Sequence, residues 1–101
     1  MVKKKRTVVW DKQASLYFNE AIRYIRKDSP QNADSVKREI LSKVRDLSHQ
    51  PEIHAPDKYK QDNTGNYRAF EVHHYRVSFL IKDEQVIITR MRHTSQEPKQ
   101  Y

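Results

Sequence analysis

The sequence of 101 residues contains no cysteine and a single glycine, and each absence excludes a class of site. Without cysteine there can be no disulfide bonds and no thiolate metal ligands. With Gly65 as the only glycine, no glycine-rich loop can hold the phosphates of a nucleotide cofactor. No apolar run approaches the roughly 20 residues of a membrane span. The sequence therefore predicts a cytoplasmic protein with no cofactor and no membrane attachment.

Basic residues are abundant instead. Lys and Arg total 20 against 13 Asp and Glu, which gives a net charge of +7 and an isoelectric point near 9.7. This charge favours a polyanion such as nucleic acid, or an acidic protein, as the partner. Five histidines are present, but they lack the spacing of a metal site, and none is expected. The length suits one domain over residues 1–101.

The first half of the chain predicts a strand and then a helix. Thr7 to Trp10 is β-branched and aromatic, as in a short strand. Asp11 can cap a following helix from Lys12 to about Arg26, because apolar residues recur there at helical spacing. The polar segment Met1 to Arg6 before the strand is expected to be a solvated terminus.

A second helix is predicted after a break. Pro30 disfavours helical geometry in Ser29, so Ser29 becomes an N-cap and the new helix runs from Pro30 to about Ser48. Residues His49 to Asn66 form a long loop, and loops of this length are often functional. The segment Thr94 to Tyr101 is polar and is expected to cross back over the sheet.

Three β-rich runs follow the loop: Tyr67 to His73, Tyr75 to Lys82 and Val86 to Arg92. The first joint is a tight junction at His74, and the second, Lys82 to Gln85, suits a turn based on type I. The fold class is therefore α+β, in the order β-α-α-β-β-β, with a two-helix hairpin packed on a small antiparallel sheet.

Alternation in the second run separates two faces. Every second residue is apolar and is expected to face the core: Tyr75, Val77, Phe79 and Ile81. Arg76 and Ser78 fall on the other face, which is expected to be open for binding.

A cationic set with few acids is drawn from the long loop and this sheet: Asp57, Lys58, Lys60, Arg68, Arg76, Arg90, Arg92 and His93. Cleavage of RNA by a 2′-hydroxyl needs a base, an acid and cations that neutralise the phosphate in the transition state. The set has these groups. It equally suits a basic face that only binds phosphate, and composition leaves both interpretations open.

The order of motifs resembles the RelE/ParE superfamily of bacterial toxins from type II toxin–antitoxin systems, over nearly the whole chain. The matching pieces are TVVWDKQASLYFNEAIRYI, the Ser29-Pro30 break with Ala33, Pro56 to Lys60, Tyr67-Arg68, Tyr75-Arg76-Val77 with Phe79, and Asp83-Glu84.

The resemblance implies a ribosome-dependent mRNA endonuclease and assigns roles to named residues. Lys60 and Arg76 stand where such toxins have a catalytic lysine and arginine, and Arg68 matches a further arginine. Asp62 stands where such toxins have a second lysine. Lys60, Arg68 and Arg76 are expected to hold the scissile phosphate.

Other relatives pair a loop carboxylate with a histidine and a tyrosine near the end of the chain. Asp57 matches the carboxylate and His93 the histidine, so both are predicted to exchange protons. Tyr101 follows His93 by eight residues instead of one. RNA binding is predicted for four residues: Lys58, Arg90, Arg92 and Tyr101.

ParE toxins share the fold but poison DNA gyrase without these nuclease residues, and this alternative stays open, as does a protein with the toxin fold that has lost activity. Arg76 does not discriminate between the branches, and His93 can equally be a strand-end residue capped by Ser95. Either branch implies a cognate antitoxin as partner, with the ribosome and mRNA, or gyrase, as target.

Overall fold

The computed structural model describes residues 5–96 and 100–101. Its elements are β1 (Thr7–Trp10), α1 (Lys12–Asp28), α2 (Pro30–Asp46), β2 (Tyr67–Val72), β3 (Tyr75–Ile81) and β4 (Gln85–His93), with short 3₁₀ turns at Pro51–Ile53 and Thr94–Gln96. The predicted α+β class and element order are confirmed. Most of the segment Met1 to Arg6 lies outside the described residues.

Both helices begin at the predicted caps. The Asp11 side chain accepts a hydrogen bond from the backbone N–H of Gln13, and the Ser29 side chain accepts one from Asn32, with Pro30 in the first turn. Asp11 and Ser29 thus satisfy N–H groups that have no partner inside their helices. The first helix extends two residues beyond the expected end, to Asp28, and the second stops two residues earlier, at Asp46.

The sheet is mixed, which corrects the expectation of a purely antiparallel sheet. Its strand order is β1-β4-β3-β2. Strands β2, β3 and β4 form an antiparallel meander, but β1 pairs with β4 in parallel, from Thr7 opposite Gln85 to Trp10 opposite Ile88. The helical hairpin makes this possible, because parallel neighbours need a long crossover connection.

The two joints of the meander differ. The β2–β3 joint is a two-residue turn at His73 and His74, which both have positive φ, 49° and 69°. Positive φ at both central positions is the geometry of a type I′ hairpin turn. The first run therefore ends at Val72 and not at the expected His73, and the junction includes His73 as well as His74. Lys82 to Glu84 connect β3 to β4, and none of them has positive φ.

One hydrophobic core lies between the helices and one face of the sheet, called here the helix face. Its fully buried members include Ala33, Ile40, Leu47, Val77, Phe79, Val86, Ile88 and Met91. Tyr75, Val77 and Phe79 are buried as predicted, and Ile81 is partly buried. Arg76 and Ser78 on the opposite side, the outer face, are also buried. The outer face is therefore covered around them, which differs from the expectation of a face open for binding.

Candidate functional site

The long loop is fixed at one end by a polar anchor. The Asn63 amide donates to the carbonyl oxygens of Tyr67 at 2.8 Å and Asp57 at 3.3 Å, and its oxygen accepts from the N–H groups of Gly65 and Tyr67. Gly65 has φ +105°, which only glycine adopts readily. Asn63 therefore closes the loop onto the start of β2.

Arg68 completes this anchor. Its guanidinium donates to the carbonyl oxygens of Gly65, Glu52 and His54, the last at 2.7 Å. Arg68 pairs across the sheet with Phe79, so both lie on the helix face, away from Arg76. These three hydrogen bonds of Arg68 thus hold the loop. The structure does not bring Arg68 together with the other predicted phosphate-binding residues.

A buried ion pair stands at the centre of the outer face. Arg76 Nη2 lies 3.0 Å from Asp57 Oδ1, and the side chains of Arg76 and Asp57 are 9% and 0% exposed. The other guanidinium nitrogen, Nη1, lies 2.8 Å from an oxygen of the half-exposed Glu71. One arginine is therefore shared by two carboxylates, and the three side chains together carry a net charge of −1.

Asp57 is almost saturated with donors. Its oxygens accept from the Tyr59 N–H, from Arg76 and from the Tyr101 hydroxyl. Burial by itself would raise the pKa of Asp57, but the hydrogen bonds from Tyr101, Tyr59, Arg76 and Ser78 outweigh it and hold that pKa below its ordinary value. A carboxylate held ionised in this way is a weak proton acceptor.

The guanidinium of Arg76 is equally fixed. Burial lowers its pKa, but the hydrogen bonds and charges of Asp57 and Glu71 raise the pKa by more. Its flat face also lies 4.8 Å from the ring centre of Tyr59. Arg76 is thus a permanent cation whose two terminal nitrogens are directed at protein carboxylates, while its buried Nε has no hydrogen-bond partner among the described residues.

Tyr101 covers this pair from outside. Residues 97–99 of the segment that was expected to cross back over the sheet lie outside the described residues. Its hydroxyl donates to Asp57, and its ring lies 4.4 Å from the guanidinium carbon of Arg90. Lys60 Nζ lies 4.7 Å from the ring centre of Tyr67 and 5.6 Å from that of Tyr101. Lys58 Nζ lies 5.3 Å from Tyr59. The structure thus brings Asp57, Lys58, Lys60, Arg76, Arg90 and Tyr101 to one face.

His93 lies on the other side of the sheet. It is opposite Tyr75 in the β3–β4 pairing, and its ring contacts that of Tyr75 edge-on at 5.1 Å. The Ser95 N–H donates to His93 Nδ1 at 3.1 Å, as expected for a capped strand end. Because Nδ1 accepts this bond, the neutral ring carries its proton on Nε2. His93 and Asp57 are therefore on opposite faces and cannot share one substrate phosphate in this conformation.

Arg92 also leaves the outer face. Its guanidinium donates to the carbonyl oxygen of Met91 at 2.6 Å and lies 5.1 Å from the ring centre of Tyr17 in α1. It therefore packs at the edge of β4, where β1 has ended. Next to it, a groove of about 540 Å³ is lined by α1 residues, Tyr75 and His93.

Sequence reasoning missed two residues of the site, Asn63 and Glu71, and it placed Ser78 on this face without identifying its contact with Asp57. Only Asn63 left a usable signal, since Asn two residues before Gly is typical of a turn. The others become partners only through the strand register and the path of the loop.

Within residues 5–96 and 100–101 there is no group of three or more side chains suited to a metal ion. In the same ranges, no helix has the length and apolar character needed to cross a membrane.

The fold and this outer face define a class of protein: an α+β domain of the RelE/ParE superfamily, with its polar centre closed by an ion pair. A family model described as the ParE toxin of type II toxin–antitoxin system, parDE, matches residues 8–98. The chain belongs to this family and is a toxin of a type II toxin–antitoxin system. Its family implies a cognate antitoxin as partner.

Among solved structures, the chain is similar to one described as the chromosomal ParDE TA system from P. aeruginosa. The TM-score is 0.68 and the identity 15%, over 90% of this chain and 98% of the other. At this identity the likeness concerns the fold alone. No curated protein matches significantly in sequence.

Proposed function

We propose that this toxin inhibits DNA gyrase by binding it and does not cleave RNA. The observation that carries the proposal is the use of Arg76: the two terminal nitrogens of its buried guanidinium are directed at the buried Asp57 and the half-exposed Glu71. A site for phosphoryl transfer needs cations directed at the phosphate. Membership in the ParE family supports the same conclusion, because ParE toxins act on gyrase.

The position of His93 gives further support. An RNA-cutting pair made of Asp57 and His93 would need both groups within hydrogen-bonding reach of one phosphodiester. The two lie on opposite faces of the sheet, and Ser95 occupies Nδ1 of His93. Asp57 is also held ionised at low pKa. These contacts favour a structural role for both residues.

Ribosome-dependent mRNA cleavage is the second candidate, and one observation favours it. Lys60 and Arg90 lie against the ring of Tyr101, beside Asp57. Lysine, arginine and an aromatic ring on one surface can bind a nucleotide by charge and stacking. In this alternative Lys58, Lys60, Arg90 and Tyr101 contact mRNA, and the ribosome is the target. Either target places the toxin in the cytoplasm.

A paired assay on the purified toxin separates the two candidates. We expect inhibition of gyrase supercoiling, together with intact mRNA when the toxin is added to a translating extract and cleavage is mapped by primer extension. Toxin premixed with its antitoxin serves as the control and should leave both reactions unaffected. Cleavage within translated codons with normal supercoiling would overturn the proposal.

Two substitutions sharpen the test because they remove predicted nuclease groups outside the buried pair. Lys60→Met and His93→Gln should both retain gyrase inhibition and growth arrest on induction. Circular dichroism should first show that each variant is folded. If either folded variant fails to arrest growth while gyrase inhibition persists, gyrase inhibition is not the cause of the arrest. That result would favour mRNA cleavage.

A further inference from the structure

We propose that Tyr101 acts as a latch. Its phenol occupies a slot on the outer face formed by Asp57, Lys60 and Arg90, and Tyr101 thereby holds the outer half of the long loop, Lys58 to Gln61, against the sheet. The slot would recognise one chemical class, a phenol presented by an extended peptide. The inference does not depend on whether the toxin acts on gyrase or on mRNA.

The backbone of Tyr101 pairs with the loop as a short strand would. Its N–H donates to the carbonyl oxygen of Tyr59 at 2.9 Å, and its carbonyl oxygen accepts from the N–H of Gln61 at 2.6 Å. The side chains of Gln61 and Gln100 add a bond at 3.3 Å. This reciprocal pairing is the pattern by which an extended peptide adds to a strand edge.

The side chain supplies the specificity. The hydroxyl donates to Oδ2 of Asp57, while Oδ1 of the same carboxylate accepts from Arg76 and the Tyr59 N–H. The ring centre lies 4.4 Å from the guanidinium carbon of Arg90 and 5.6 Å from Lys60 Nζ. A phenol satisfies the carboxylate with its hydroxyl and the two cations with its π face.

The loop has a second anchor that does not involve Tyr101. Asn63 and Arg68 hold the part near Gly65, and Asp57 N–H donates to Tyr67 at the edge of β2. Loss of the phenol should therefore release Lys58 to Gln61 while Ala55 to Asp57 stay on the strand. Local release of this kind leaves the global fold in place.

Limited trypsin digestion tests the latch, because Lys58 and Lys60 are cleavage sites inside the segment. In Tyr101→Ala, cleavage after these two lysines should rise about tenfold, since a hydrogen bond to a charged group is lost. Cleavage after Lys82, in the distant β3–β4 joint, is the internal reference and should not change. Tyr24→Ala is the matched control, because Tyr24 is 74% exposed and lies on α1.

Chemical rescue tests the slot itself. p-Cresol carries the ring and hydroxyl of the lost side chain, so it should restore protection of Lys58 and Lys60 in Tyr101→Ala, and toluene, which lacks the hydroxyl, should not. Tyr101→Phe should show cleavage between that of the native protein and that of Tyr101→Ala.

Equal cleavage of native and Tyr101→Ala protein would overturn the proposal. So would a rise in cleavage that is as large after Lys82 as after Lys60, since this would mean global unfolding. Protection by toluene as strong as that by p-cresol would overturn the assignment of the slot to a phenol.

Discussion

Arg76 and Asp57 form an ion pair that is almost completely removed from solvent. Deleting one member of such a pair leaves the other as an uncompensated buried charge, which costs about 3–5 kcal/mol. We therefore expect Arg76→Ala to lower the free energy of unfolding by about that amount, measured by urea denaturation.

An exposed pair in the same protein provides the control. Arg26 and Asp34 are also 3.0 Å apart, but their side chains are 44% and 56% exposed. Arg26→Ala should cost less than about 1 kcal/mol, because water already screens that pair. Similar losses in the two variants would contradict the structural role of Arg76. Loss of toxicity in Arg76→Ala is not evidence of catalysis unless the variant is shown to be folded.

Sequence reasoning placed Arg76 and Ser78 on the outer face but did not identify their partners. Alternation along β3 predicted that Arg76 and Ser78 share a face, and this is correct. It could not predict burial, because burial depends on Asp57, which lies 19 residues earlier in the long loop, and on Tyr101. The same pattern could not separate Arg68 from Arg76, since that requires the register of β2 against β3.

At the scale of elements, the turn of the β2–β3 hairpin is formed by two non-glycine residues with positive φ. His74 has φ 69°, a region that costs an ordinary L-residue about 1 kcal/mol relative to glycine. We expect His74→Gly to be more stable than His74→Ala by about 1 kcal/mol in thermal or urea unfolding. Both variants lose the imidazole, so their difference isolates the backbone.

At an exposed helical position, the glycine variant should instead be less stable than the alanine variant. Lys37 is exposed within α2, where glycine is about 1 kcal/mol less favourable than alanine. Lys37→Gly should therefore be less stable than Lys37→Ala. If alanine were preferred at position 74 as well, the turn would not require positive φ there.

The helices were the most predictable elements, because their caps, break and apolar spacing are all local. The pairing of strands in the sheet was less predictable from the sequence. A strand of four residues, Thr7–Trp10, shows no preference for parallel or antiparallel pairing, and its neighbour β4 begins 75 residues later, at Gln85. The hairpin turn was also missed, because His-His lacks the Asn-Gly signal of a type I′ turn.

At the scale of the whole molecule, the net charge of +7 is not concentrated at the polar centre. The cluster of Asp57, Glu71 and Arg76 is itself anionic, and other arginines stabilise the structure: Arg68 holds loop carbonyls and Arg6 pairs with Glu52. Net charge therefore indicated an acidic or polyanionic partner without locating the surface that binds it.

Acid should destabilise the whole fold through His54, whose ring lies 5.2 Å from Phe70 and 5.7 Å from Phe79. Burial and, to a lesser extent, the charge of Lys43 lower the pKa of His54 below the ordinary 6.5, although Asp46 opposes this. Below pH 6.5 the unfolded chain therefore binds a proton that the folded chain does not, and stability falls as the pH falls until the folded pKa is reached. Asp57 adds a further loss at lower pH, because its folded pKa lies below 3.8.

Urea unfolding between about pH 8 and pH 5 measures the contribution of His54. We expect His54→Asn to flatten the decline below pH 6.5, although the variant starts from a lower stability because the ring contacts are lost. His49→Asn, at an exposed histidine in the same part of the chain, should keep the slope of the native protein. A native slope in His54→Asn would mean that another group binds the proton, whereas a flattened slope would link acid unfolding to the ring that packs beneath the long loop.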